Sequence, residues 1–195
     1  MDDRLKRWPT LPRRDPCVLL RELLEVIAKG ARHGIKRDLI LLRGPKQKKS
    51  REIFQACIFL CAVRQASGKP YRLIHEEPEN SPVDVVAVID LLEERASYYY
   101  PIQLKELPPR SRNPNISLDD LLRDLASDTS IADSIVAVYL NREFRLVFDA
   151  IAVPPGLKAR QLWLYGSPGP PANFILRGDL MEANPATYEV TLPLT

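Results

Sequence analysis

The sequence predicts an α/β protein: a mixed β-sheet flanked by helices, with a helical extension before it and a β-rich addition after it. Three observations predict this class. Apolar residues recur at helical spacing in two stretches before residue 66. Three successive runs rich in Val, Ile and Tyr follow between residues 71 and 107. The 18 prolines cluster near the N-terminus, at 108–114 and after 154, and so leave the middle of the chain free for regular structure. The expected organisation is a basic helical extension over residues 1–49, a core over 50–153 and a proline-rich β addition over 154–195, all in one compact body.

The elements follow in order. From Cys17 to Arg32, Val18, Leu19, Leu23, Val26 and Ile27 fall at helical spacing, with Asp15 as cap and Pro16 at the first helical position. Gly30 and Gly34 mark the stop, and His33 suits the negative end of the helix dipole. Residues 36–43 form a short apolar segment of open assignment. Ser50 is expected to cap a second helix over Arg51–Gln65, with Ile53, Cys57, Leu60, Cys61 and Arg64 on one stripe and Gly68 ending it. Tyr71–His75, Val83–Asp90 and Tyr98–Leu107 read as strands. Ser117 opens a third helix with Asp119 and Asp120 in its first turn. Ile135–Leu140 and Phe144–Val153 read as a hairpin around Asn141-Arg142-Glu143. Gln161–Tyr165 and Tyr188–Leu192 read as two last strands, separated by GSPGPPANF.

Composition narrows the function classes. A chain of 195 residues with 45% apolar and 27% charged content is that of a globular protein. No apolar run reaches the length of a bilayer span, and the charged N-terminus lacks the apolar centre of a secretory signal. Three cysteines, Cys17, Cys57 and Cys61, argue against a disulfide framework and for a reducing cytoplasm, with Cys57 and Cys61 as small buried residues. A net charge of +3 hides an asymmetry: residues 1–51 hold 15 Lys/Arg against 6 Asp/Glu. Lys46, Lys48, Lys49 and Arg51 crowd the start of the second helix, which suits contact with a phosphate backbone, although a solvated charge run would look the same.

The chemistry-bearing group is Pro82-Val-Asp84 on one predicted strand and Gln103-Leu-Lys105 on the next. Alternation puts Gln103 and Lys105 on one face, roughly 6–7 Å apart. If the strands pair as a meander, Asp84 meets them. A carboxylate and an amide oxygen then suit a hard divalent cation, and an ammonium suits the charge that builds on a phosphoryl group under attack. The plain alternative leaves Asp84 in a turn and Gln103 and Lys105 on a solvent face.

Helix, three strands carrying D…(Q/E)xK, helix, strand resembles the PD-(D/E)xK nuclease superfamily, the restriction-endonuclease-like fold, over about residues 50–141. The resemblance implies that Asp84 binds metal as in the first motif. Gln103 and Lys105 would stand for the (D/E)xK of the second, and Glu52 for the acid that many members add from their first helix. Gln103 departs from the usual acid, as in QxK variants similar to Mrr-like restriction nucleases, so a supplementary carboxylate gains importance, with Glu52 and Glu77 as candidates. The resemblance implies Mg²⁺ (or Mn²⁺), DNA as substrate, hydrolysis more often within strands than from ends, no membrane, and a homodimer where both strands are cut. The alternative keeps the fold as a catalytically inactive nucleic-acid or protein binding module. His75, beside Glu76 and Glu77, reads as a surface residue. Tyr98, Tyr99 and Tyr100 suit base stacking or, on alternating faces, the core. Asp90 lies too far along its strand to share an ion with Asp84. Glu106 faces away from Lys105, and Trp8 and Trp163 stand in no motif.

Overall fold

The computed structural model describes residues 6–35, 47–75, 81, 83–142, 147, 150–168 and 173–192. The protein is mixed α/β, with three α-helices and seven strands among these residues. The helices are α1 (Pro16–Arg32), α2 (Lys48–Ser67) and α3 (Leu118–Ser127). The strands are β1 (Arg72–Ile74), β2 (Val85–Leu91), β3 (Ala96–Leu107), β4 (Ile135–Leu140), β5 (Gln161–Gly166), β6 (Asn173–Gly178) and β7 (Ala186–Thr191). In hydrogen-bonded order they run from β1 to β7 without permutation. The chain divides into two compact units, Met1–Tyr100 with Leu192–Thr195, and Pro101–Thr191.

In the first unit α1 begins as expected. The Asp15 carboxylate accepts from the N–H groups of Cys17 (2.9 Å) and Val18 (3.2 Å), and Pro16 occupies the first turn. Burial pushes the Asp15 carboxyl up, but the Arg64 guanidinium at 2.8 Å and the two N–H groups hold it below the usual carboxylate range. Helix α2 starts earlier than Ser50, at Lys48, with Gln47 as an N-cap that makes no side-chain cap bond. The first turn is instead tethered to the strand region, Lys49 Nζ donating to the carbonyl oxygen of Asp84 at 2.9 Å. At its other end Gly68 takes φ 69° and its N–H reaches the Arg64 carbonyl, the expected left-handed stop.

The single apolar stripe expected of α2 is too narrow. Every residue from Gln55 to Val63 is buried, since α2 packs on α1 and also on β1 and β2. Cys61 forms a disulfide with Cys17 of α1, their Cα atoms 5.6 Å apart. This corrects the expectation of unpaired cysteines, and the odd count no longer speaks for a reducing compartment. Neighbouring helices bring two of three thiols together, which a count cannot foresee. Cys57 remains a buried thiol, pushed up to about 12 chiefly by that burial.

Strands β1 and β2 pair antiparallel, Leu73 opposite Ala87. Leu73 also exchanges both backbone hydrogen bonds with Arg14, each 2.8 Å, so the segment before α1 covers the β1 edge. Trp8, buried, packs with Ile74, Val83, Val86 and Val88. Arg13 pairs with Asp90, donates to the Tyr99 hydroxyl at 2.7 Å and lies over the Tyr99 ring. Asp90 thus anchors the N-terminal segment to the β2–β3 hairpin.

In the second unit β3, β4 and β5 are parallel and β5, β6 and β7 antiparallel. The expected hairpin after Leu140 is not formed. Strand β4 pairs parallel on both sides, with Ile102 opposite Ile135 and Ile135 opposite Gln161, and the described residues Val147 and Ala150–Val153 lie outside strands. The buried run Ile135–Val138 belongs to a strand covered on both faces, the composition of an interior parallel strand. Strand β6 falls partly in the segment read as a connection. Its Gly178 lies under the Trp163 indole, which occupies the space of a Cβ.

Helix α3 carries a full capping box: Asp120 N–H donates to Ser117 Oγ and Ser117 N–H to Asp120 Oδ2. Its Leu118, Leu122 and Leu125 pack on Val136, Val138, Leu162 and Leu164, the core of this unit. No described helix is long and apolar enough to cross a membrane.

Candidate functional site

Asp84 stands one residue before β2, half-buried, and α2 delivers Glu52 to its vicinity. The Glu52 side chain retains 14% exposure. Burial first, and then the negative charge of Asp84, raise the Glu52 carboxyl above the usual range, against the opposing charges of Lys48 and Lys49. Lys48 Nζ lies 3.5 Å from Glu52 Oε1 one helical turn away. Lys49 is tied to the Asp84 carbonyl, which pins the first turn of α2 to the entry of β2. Within this unit, then, two of the predicted acids come together with two of the predicted lysines. Lys48 and Lys49 thereby take structural contacts in addition to any they make with a phosphate backbone. Arg51, half-buried, sits on the same helical turn.

Gln103 and Lys105 lie on β3 in the second unit, Gln103 opposite Val136 and Lys105 opposite Val138. They share a face, as alternation requires. Gln103 is buried and Lys105 partly exposed, with its Nζ 3.4 Å from Asp128 Oδ2. The Ser130 hydroxyl and backbone N–H, with Lys105, hold the Asp128 carboxyl below its ordinary range. Asp128 ends α3 and caps the turn Thr129–Ile131. Its sequence signal, Asp-Thr-Ser after a helix, announces a cap and says nothing of an ion pair with a residue 23 positions away.

Glu106 faces away from Lys105 and accepts from Asn141 Nδ2 at 2.8 Å. Lys46, Glu77 and Pro82 lie outside the described residues, as does the segment 36–43. Among the described residues no group of three or more His, Cys, Asp and Glu converges as a metal site would. The two acids whose charges influence one another, Glu52 and Asp84, carry hard oxygens of like charge, the donor chemistry that suits a divalent cation of the Mg²⁺ or Mn²⁺ type.

Comparison with family models, with curated proteins and with solved structures finds no match to this chain.

Proposed function

We propose that the protein is a metal-dependent nuclease that hydrolyses DNA phosphodiester bonds internally, on a restriction-endonuclease-like core. One observation carries this reading: Glu52 and Asp84, half-buried acids from different elements, flank the junction where Lys49 of α2 donates to the Asp84 carbonyl at 2.9 Å, and the Asp84 charge adds to burial in raising the Glu52 carboxyl. Lys48 and Lys49 offset this like charge only in part, since the Glu52 carboxyl stays raised, and a bound cation would offset it further. The order α2, β1, β2, β3, α3, β4, with β4 parallel to β3, supports the same reading, since it is the order the sequence resemblance implies.

In this proposal Glu52 and Asp84 would hold Mg²⁺ (or Mn²⁺), and the sequence pattern assigns Gln103 and Glu77 as further oxygen donors. The ion would polarise the scissile phosphate and lower the pKa of bound water. Lys105 orients the attacking water or offsets the charge that builds on the phosphoryl oxygens. Lys46, Lys48, Lys49 and Arg51, at the start of α2, meet the DNA backbone. A protein that cuts both strands in this way would act as a homodimer.

The Lys105–Asp128 ion pair favours the second reading, in which the same fold is a binding module without catalysis and Lys105 is structural. Incubation of supercoiled plasmid and of single-stranded DNA with the protein, in Mg²⁺ and in Mn²⁺, decides between them. A nuclease nicks or degrades either substrate, and Lys105→Ala and Glu52→Gln abolish the activity. Equal background for wild type and Lys105→Ala in both metals overturns the enzyme reading. Salt-sensitive DNA affinity indifferent to Lys105→Ala then identifies a nucleic-acid module, and absence of affinity a protein-binding one.

A further inference from the structure

The second unit contains a polar cleft that the nuclease reading does not use. Strands β3, β4 and β5 run parallel and end side by side at Leu107, Leu140 and Gly166. The chain segments that leave these three ends enclose a cleft of about 490 Å³. That volume lies in the ~300–1,000 Å³ range of sites for small organic ligands, and the carboxyl ends of parallel strands are where open α/β sheets place them.

Among the described residues the lining is rich in donors and carries no carboxylate of its own. The Glu106 carboxylate stands behind Asn141 at 2.8 Å, and Asp119 shares an adjoining pocket with Arg110 and Arg142. Arg110, Ser111, Asn141, Arg142 and Ser167 supply the donors, over the aromatic floor of Tyr139. Two guanidinium groups among the described lining residues give the cleft its cationic side. Their roles differ. Arg142 donates through Nε to the Pro108 carbonyl (2.9 Å), through one terminal nitrogen to Ile116 (2.6 Å) and through the other to Asn113. It therefore fastens the 108–117 connection in place and adds charge, with three of its five N–H donors committed. Arg110, carried by that fastened connection, is exposed and has no ion pair or hydrogen bond among the described residues. Its guanidinium is the group left to meet a ligand. Gly166 lets β5 approach the β4 end closely, since a Cβ there would meet the Leu140 carbonyl oxygen at 2.9 Å. Ser167, the next residue, lines the same cleft as Asn141.

We propose that this cleft binds a phosphate monoester on a small organic body, with Arg110 as the anion-binding residue. A guanidinium fork matches two phosphate oxygens, and the Ser111 hydroxyl beside it offers a donor to a third oxygen, which a carboxylate lacks. The site is distinct from the residues assigned to DNA cleavage, and its test does not depend on them.

The test titrates the full-length protein with a nucleoside 5′-monophosphate, followed by calorimetry. The matching nucleoside, inorganic phosphate and a 5′-phosphorylated oligonucleotide form the comparison arms. The expected result is saturable binding of the monophosphate, at least tenfold weaker binding of the nucleoside, and a tenfold or greater loss in Arg110→Ala. Lys158→Ala, an exposed cation of the same unit outside the cleft, should bind as wild type. Arg110 is exposed, so its variant should melt at the wild-type temperature, which a folding defect would not allow. Preference for the oligonucleotide over the free monophosphate would place the phosphate on a nucleic-acid end. Preference for the free monophosphate would place it on a metabolite. Absence of saturable binding for every phosphate probe, or equal losses in the Arg110 and Lys158 variants, overturns the proposal.

Discussion

Lys105→Ala removes an ammonium that lies 3.4 Å from Asp128 Oδ2, in a pair whose side chains retain 30% and 31% exposure. Solvent reaches both partners, so the pair belongs with exposed ion pairs, worth about 0.2–1 kcal/mol. In a protein of this size 1 kcal/mol corresponds to a shift in Tm of about 2–4 °C. The Asp128 carboxylate left behind keeps the Ser130 hydroxyl and N–H, so no charge is stranded. A structural Lys105 therefore predicts a small shift in Tm and nothing else. A Lys105 that stabilises charge on the phosphoryl group predicts a loss in cleavage rate of about 10²–10³-fold, the cost of removing one such group from an acyl-transfer site. Plasmid nicking measured as a rate, beside a thermal melt of the same preparation, reads both quantities. A melt lowered by more than about 5 °C would refute the ion-pair estimate. Nicking rates within threefold of wild type would refute the catalytic assignment.

Glu52→Gln should raise Tm at neutral pH without added metal, because the Glu52 carboxyl is held above its ordinary range and its ionisation opposes folding. The sign follows from that shift: the stabilising contribution is present below the ordinary glutamate pKa and is lost as pH rises through the raised one. Wild-type stability should therefore fall with rising pH in that interval while the variant stays flat, and Mg²⁺ should restore the wild type alone. A variant less stable than wild type at neutral pH would remove the like-charge account. Reduction of the Cys17–Cys61 bond, or Cys61→Ser, releases a link across 44 residues, for which loop-closure entropy gives about 4 kcal/mol; denaturant melts with and without reductant measure it, and coincident curves would show the bond to be energetically silent. Gly178→Ala drives a methyl into the Trp163 ring and should cost about 1–3 kcal/mol, with a change in tryptophan fluorescence; an unchanged spectrum and melt would contradict the packing.

Local chemistry was legible wherever it acts within a few residues. Asp15 and Pro16 opening α1, Gly68 closing α2 and Ser117 capping α3 are all sequence signals, because a cap is satisfied by the next turn of its own chain. Strands β1 to β3 lie within two residues of their predicted limits for the same reason: runs of β-branched and aromatic residues bounded by turn formers define them. Helix α2 shows where this stops. It starts before Ser50, its first turn is tethered by Lys49 to an Asp84 carbonyl 35 residues away, and its all-round burial depends on having α1 on one side and strands on the other.

The candidate site divides along the same line. The types and spacing of Asp84, Gln103 and Lys105 are properties of the sequence, and so is the single face shared by Gln103 and Lys105. That Glu52 sits under the influence of Asp84, that Asp128 takes Lys105, that Cys17 meets Cys61, and that Arg110 stands without an ion pair among the described residues in a cleft fastened by Arg142 were decided by tertiary structure alone. Periodicity and capping are encoded over a few residues and can be read from them. Coulomb interactions, disulfides and clefts join residues tens of positions apart, and only the packing of sheet and helices determines which of them meet.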